Sequence, residues 1–261
     1  MLKSIFLMLA SMVGFLSLTA PCSAEEFDAH TVLDDAKLYF TAPARWDAEH
    51  WMYFGGTLLL IGASHQLDRT IRDHFATGSQ SVPGYKDTHS TRDAVPAALL
   101  VGGTYVYARF VDDEAGDIEA YSMLEAAGFS AVTTEVLKFA GGRRRPNETT
   151  DVDSWRKSGS SFPSLHSSAA FAIGTVFAES GGDEYRWIRR IVGYGMAAAT
   201  GYTRLHENVH WFSDIVTGAA IGIASGRFVV NRREERANKG EFSLAPMPGG
   251  GAMLSYQVPL Q

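Results

Sequence analysis

Apolar residues recur along most of this chain at the three-to-four-residue interval of helices, and the gaps between those runs are polar and rich in glycine and proline. The pattern predicts a first helix over Ala29 to Phe40, closed by Thr41-Ala42-Pro43, because proline disfavours helix in the residue before it. A second runs from Asp47 to about Ser64, and Ala76 to Ser90 has the Gly, Ser, Pro and Asp density of a loop. Helices follow over about Arg92 to Phe110, where Pro96 falls in the opening turn, and over Gly116 to Phe139. From Gly141 to Pro163 the hydrophobic period disappears in a long polar connection, a length that marks either a functional loop or a disordered one. Helical periodicity resumes at about Ser164 to Ala178, Tyr185 to Gly201 and Val209 to Val230. In the last of these, Gly218, Gly222 and Gly226 recur every four residues and leave one face open to close approach by another helix. Asn231 to Lys239 is a charged helix end, and Phe242 to Val258 predicts two short strands about the Pro248-Gly249-Gly250-Gly251 turn. The expected architecture is an all-α helical bundle with a short strand-like C-terminal tail.

Composition narrows this picture. The 261 residues are 46% hydrophobic, enough for one sizeable core and one domain. A formal charge of -6, with no basic face beyond the run Arg143-Arg144-Arg145, argues against nucleic acid as a partner. Residues 1–24 read as a secretory signal: Lys3 precedes an apolar stretch from Ile5 to about Leu18, and Cys22 and Ala24 fit a cleavage site before Glu25. Pro21 argues against a lipoprotein anchor on Cys22. Cleavage would remove the one cysteine, which excludes disulfides and thiol catalysis. The expected organisation is a signal at 1–24, a helical domain over 25–236 and a tail over 237–261 shaped as a β-hairpin.

Membrane spans are harder to find. A bilayer asks for about 20 predominantly apolar residues, whereas His50 to Leu67 includes His50, His65 and Gln66, and Ala94 to Ala108 is bounded by Asp93 and Arg109. Asp68, Arg69, Asp93, Arg109, Glu125 and Glu135 suit the outer face of a globular bundle. The expectation is an exported periplasmic protein, soluble or peripherally associated with a membrane, the alternative being an inner-membrane protein facing the periplasm.

Three short stretches carry candidate chemistry: KFAGGRRRP from Lys138 to Pro146, FPSLHSS from Phe162 to Ser168, and TRLHENVHWFSD from Thr203 to Asp214. His210 and Asp214 are four apart on the predicted helix, hence on one face and within reach of a hydrogen bond, and a carboxylate on one ring nitrogen makes the other a better nucleophile or base. Such a pair is also common as mere surface decoration. His206, His210 and Asp214 together could instead form a stripe of zinc ligands, though no HExxH-type cluster accompanies them. Lys138, Arg145 and Arg204 would each pass as solvated cations, but three around one imidazole suit a group with planar, doubly charged acceptor geometry, which is phosphate. In phosphoryl transfer the protein mostly positions and neutralises, so this inventory suffices without a metal or any other cofactor. Ser164 stands at a helix start, where its hydroxyl and free N–H groups can bind an anion or simply cap the helix, and His166 is placed to protonate a leaving alkoxide.

The combination Lys138-x6-Arg145-Pro146, Pro163-Ser164-x-His166 and Arg204-x5-His210-x3-Asp214 resembles the three signature motifs of the type 2 phosphatidic acid phosphatase superfamily, which also includes bacterial class A acid phosphatases and vanadium haloperoxidases. The resemblance covers Lys138 to Asp214. It implies that His210 is a nucleophile forming a phosphohistidine, Asp214 its orienting partner, and His166 the acid for the leaving group and then the base for water. Lys138, Arg145, Arg204 and Ser164, with the backbone N–H of Leu165, would bind the phosphoryl oxygens. Two positions depart from the family: Leu165 replaces a Gly, at about 1 kcal/mol if positive φ is needed there, and Thr203 replaces a Ser. The implied activity is metal-independent hydrolysis of a phosphomonoester or terminal pyrophosphate on a phosphorylated lipid. A broad-specificity soluble acid phosphatase acting on small phosphomonoesters is the alternative, and a vanadium haloperoxidase the remote one.

Overall fold

The computed structural model describes residues 29–76, 90–111, 114–181, 183, 185–237, 241–246 and 252–257. The signal expected at 1–24 and nearly all of the loop expected at Ala76 to Ser90 lie outside those residues. In order, the helices are α1 (Ala29–Thr41), a 3-10 turn (Ala42–Arg45), α2 (Ala48–Gln66), α3 (Asp68–Phe75), α4 (Ser90–Val111), α5 (Glu114–Gly141), α6 (Leu165–Glu179), α7 (Arg186–His206) and α8 (Phe212–Ala237). An antiparallel pair follows, β1 (Glu241–Pro246) with β2 (Ala252–Gln257), in a register that sets Phe242 opposite Tyr256. The fold is all-α apart from that tail.

Local chemistry explains most of the boundaries. Asp47 caps α2 by accepting the His50 N–H at 2.9 Å. The short α3 is not announced by the hydrophobic pattern, because DRTIRDHF has few apolar positions from which to read a period. The largest departure concerns α8. The stretch expected to be helical from Val209 begins only at Phe212, because Asn208 takes a φ of +57° and the chain turns there. His210 therefore stands before the helix rather than on it.

The core forms where α6 is covered by α5, α7 and α8. Met123, Ala126 and Phe129 of α5 meet Ala172, Ile173 and Val176 of α6 and Val229 and Val230 of α8. The glycine row on α8 makes this possible: a Cβ on Gly222 would lie 2.3 Å from the Ser168 carbonyl oxygen, and one on Gly218 2.6 Å from that of Ser164. At the far end α1 ties down α8. Buried Asp35 accepts from Arg232 at 2.9 Å and from Arg236, while Tyr39 stacks on Phe129 and its hydroxyl lies 2.8 Å from Ser225 Oγ.

Two findings revise the sequence reading of the surface. Asp68 and Glu125 are not on an outer face, being 0% and 3% exposed. Conversely, among the described residues two helices are long and apolar enough to cross a bilayer, the stretch Ala94–Val111 of α4 and α8 itself. Whereas 56% of the α8 stretch is buried in the bundle, only 11% of the α4 stretch is, so the protein leaves an apolar helix largely uncovered. Leu99, Val106 and Phe110 of α4, Leu58, Leu59 and Leu60 of α2, and Trp187, Ile188 and Ile191 of α7 all face outward.

Candidate active site

The three sequence stretches converge at the end of the bundle where α5 stops and α6 and α8 begin. Asp214 lies in the first turn of α8, where a carboxylate is favoured by the free N–H groups and the helix dipole. Its Oδ2 accepts the Trp211 N–H at 2.9 Å, closing the reciprocal cap expected of an acidic residue at the third helical position. Ser161 donates to the same oxygen at 2.5 Å, and Arg143 Nη1 donates to Oδ1 at 2.8 Å. The His210 Nδ1 stands 3.5 Å from Oδ2, so the carboxylate faces one ring nitrogen and leaves Nε2 for chemistry.

His210 is itself only 3% exposed. Burial, with the cations of Arg145 and Lys138 acting in the same direction, outweighs the attraction of Asp214 and lowers its pKa from 6.5 to about 4. The imidazole is thereby kept neutral, the state in which a ring nitrogen has a lone pair to donate.

Lys138 occupies the last turn of α5, largely buried, with Nζ 3.3 Å from Glu135 Oε1. Arg145 lies in the polar connection, next to Pro146. That connection is neither extended nor loose: Arg144 N–H donates to Ser154 O at 3.0 Å, Ser161 N–H to Arg143 O at 2.9 Å and Arg156 N–H to Gly141 O at 2.9 Å. Gly142 allows the fold-back with a φ of +52°, and Gly159 passes so close that a Cβ would fall 2.1 Å from the Arg143 carbonyl. Arg204, fully buried on α7, pairs with Glu207, and its carbonyl accepts the Val209 N–H at 3.2 Å on the turn that carries His210.

Ser164 caps α6, accepting the Ser167 N–H, and its own N–H donates to the Asp214 carbonyl at 3.1 Å. This bond joins the start of α6 to the start of α8. Leu165 is the first residue of α6 and is absent from the residues with positive φ, so the side chain in place of the family's glycine costs no backbone strain. His166, one residue on, lines a cavity of about 510 Å³ between α4, α5 and α6. Ala97, Val101, Leu124, Ala170 and Ile173 make its wall almost wholly apolar, with Tyr105 and Tyr121 lining it further along α4 and α5.

The zinc stripe weighed from sequence does not form, since His206 ends α7, His210 lies on the turn and Asp214 is on α8. Among the described residues no group of three His, Cys, Asp or Glu is placed to share an ion. What the sequence reading missed is the support behind Asp214. Arg143 reads in the sequence as part of a short basic run, yet it is 0% exposed and lies between the rings of Trp155 and Trp211, 4.6 and 5.1 Å from their centroids.

Residues 119–237 match the sequence model of the PAP2 superfamily. It is 38% identical over 89 residues to a lipid A 1-phosphatase of Porphyromonas gingivalis, a match covering 34% of this chain and 18% of the relative. A PA-phosphatase related-family protein of Dictyostelium discoideum is 29% identical over 126 residues, covering 42% of this chain and 46% of the relative. The chain thus spans less than half the length of the curated relatives it matches. Among solved structures, LpxE of Aquifex aeolicus aligns with 64% of this chain and 93% of its own at 21% identity, with a TM-score of 0.42. A transmembrane PAP2 type phosphatidylglycerolphosphate phosphatase of Bacillus subtilis aligns with 88% of this chain and 96% of its own at 15% identity, again with a TM-score of 0.42.

Proposed function

We propose that this protein is a phosphatase that removes a phosphoryl group from a phosphorylated lipid through a phosphohistidine on His210, with no metal required. The observation that carries the reading is the buried, neutral imidazole of His210, held against Asp214 and faced by Lys138 and Arg145. His210 Nε2 attacks phosphorus, a P–N bond forms and the P–O bond to the lipid breaks. His166 delivers its proton to the leaving oxygen, and Asp214 offsets the charge on the imidazolium ring. In the second step His166 takes a proton from water, the hydroxyl oxygen attacks phosphorus, the P–N bond breaks and inorganic phosphate leaves. Lys138, Arg145, Arg204, Ser164 and the Leu165 N–H carry the phosphoryl oxygens throughout.

A lipid is favoured over a small soluble ester because the cavity beside His166 is apolar, and the leaving group must lie on the side of the group that protonates it. A lipid A 1-phosphatase among the relatives supports the same substrate class. The uncovered faces of α2, α4 and α7 support placement in a bilayer rather than beside one, which favours the inner-membrane alternative. With residues 1–24 read as an export signal and 25–236 as the phosphatase domain, the site would face the periplasm.

The test is phosphate release by the full chain from phospholipids, polyprenyl diphosphates and soluble monoesters, in detergent and in excess EDTA. Turnover of lipid substrates that survives chelation and disappears in His210→Ala is expected. Activity lost in EDTA and restored by zinc would overturn the metal-free reading.

A further inference from the structure

Behind Asp214 lies a buried ion network that the mechanism above does not use. Arg143 presents a fork of two nitrogens to two carboxylates: Nη1 donates to Asp214 Oδ1 at 2.8 Å and Nη2 donates to Asp68 Oδ2 at 2.7 Å. All three side chains are 0% exposed. Asp68 opens α3, far away in sequence, and accepts from the Ser213 N–H and hydroxyl, both at 2.7 Å, so it also holds the first turn of α8. Arg143 is fixed further by Ser213 Oγ at 2.8 Å and the Val152 carbonyl at 2.7 Å. At the outer edge His65 of α2 stands between Asp68, at 3.0 Å, and Asp153 of the polar connection, at 2.9 Å.

Charge counting gives this arrangement a meaning beyond packing. Arg143 alone would cancel Asp214 and leave His210 facing a neutral pair. Asp68 restores one net negative charge to the trio. Asp68 also holds α3 against α8, but burying a further ion for packing alone is costly, and a neutral hydrogen-bonding side chain would make such a contact with less desolvation.

We infer that Arg143 and Asp68 are positioning residues of the reaction: Arg143 locks Asp214 so that Oδ2 faces His210, and Asp68 keeps the buried trio at one net negative charge, available to the phosphoimidazolium. The inference rests on the phosphohistidine reading. His210 is faced by Asp214 from α8, Lys138 from α5 and Arg145 from the polar connection. With the last two being cations, the trio is the source of negative charge on which the intermediate draws.

The experiment is a charge cycle in the full-length protein. Asp68→Asn leaves the trio neutral, Arg143→Met leaves it doubly negative, and the double variant returns it to one negative charge. For each, kcat and KM for an aryl phosphate are measured against pH, and the His210 ring nitrogens are titrated by NMR. Asp68→Asn is expected to lower kcat by about tenfold with KM little changed. Its His210 titration should move to lower pH, and that of Arg143→Met to higher pH, each on the order of one pH unit. The double variant should titrate near the wild type, although it has lost the most contacts. Arg143→Lys, which keeps the charge, replaces Arg143→Met if the latter does not fold, and should leave the titration in place while lowering kcat. Shifts in the same direction, or a double variant further from wild type than either single one, would overturn the inference in favour of a purely structural network. The NMR titration stands even if no substrate is turned over, so failure of the phosphatase reading and failure of this one are told apart.

Discussion

Acidification is the most direct probe of the nucleophile proposed at buried His210. An ordinary imidazole at 6.5 would be neutral in roughly a tenth of molecules at pH 5.5, whereas His210, lowered to about 4, stays neutral in nearly all of them. The difference between the two values corresponds to about 3 kcal/mol that disfavours protonation in the folded protein. Its origin is the 3% exposure of the ring, reinforced by Arg145 and Lys138 and opposed by Asp214. The assay is kcat/KM for an aryl phosphate between pH 4 and 7.5 at constant ionic strength. The substrate's own second ionisation, near pH 6, is identified by repeating the profile with an aryl phosphate of different acidity, since a limb that belongs to the enzyme does not move. The expected enzyme-borne acid limb lies near 4.

The same displacement has a sign in stability. Between 6.5 and about 4 the unfolded chain takes up a proton at this position and the folded chain does not, so stability is complete above 6.5 and falls as pH is lowered through that window. The loss attributable to this residue is at most about 3 kcal/mol. His210→Gln should therefore flatten the decline in thermal midpoint over the same range. An enzyme-borne limb near 6.5, with no difference in the pH dependence of unfolding between wild type and His210→Gln, would refute the reasoning.

Four further outcomes are expected. His166→Ala should slow a lipid or alkyl phosphate far more than an aryl phosphate, whose leaving group needs no proton, and equal losses on both would remove the acid role from His166. Gly102→Phe places a ring where a Cβ meets no atom within 4 Å and where the wall of the cavity runs, so KM for long-chain lipid phosphates should rise at least about tenfold, with little change for a soluble monoester. Leu165→Gly should change kcat by less than about tenfold and lower stability by about 0.5–1 kcal/mol, because the position is an ordinary first helical turn; a large gain in activity would contradict that backbone assignment. Membranes carrying the protein should retain it through carbonate and release it to detergent, and its appearance in the carbonate supernatant would return the uncovered α4 to a peripheral role.

How much of this could be read from sequence depended on whether the information was local. The helices with a clear hydrophobic period, α2, α4, α5, α6 and α7, lie within a few residues of where that period puts them. The glycine row on α8 spoke for itself because a four-residue recurrence has one geometric consequence. The sequence places His210 on a helix because four-residue spacing to Asp214 fits both a helical face and a turn followed by a cap, and only the backbone at Asn208 decides between them. Asp68 and Arg143 were opaque for a different reason. A lone charge in sequence reads as solvated, and what makes these two buried is a partner 75 residues away, for which no spacing rule exists. The apolar surface of α4 misled in the opposite direction: charges at its ends hide a span from a count of uninterrupted apolar residues, while its 11% burial becomes visible only once the neighbours that fail to cover it are in place. Motif residues carry their chemistry in local order, but the charge balance around His210 is a property of the assembled bundle, which is why the nucleophilic role proposed for it is best tested by changing Asp68 and Arg143 together rather than His210 alone.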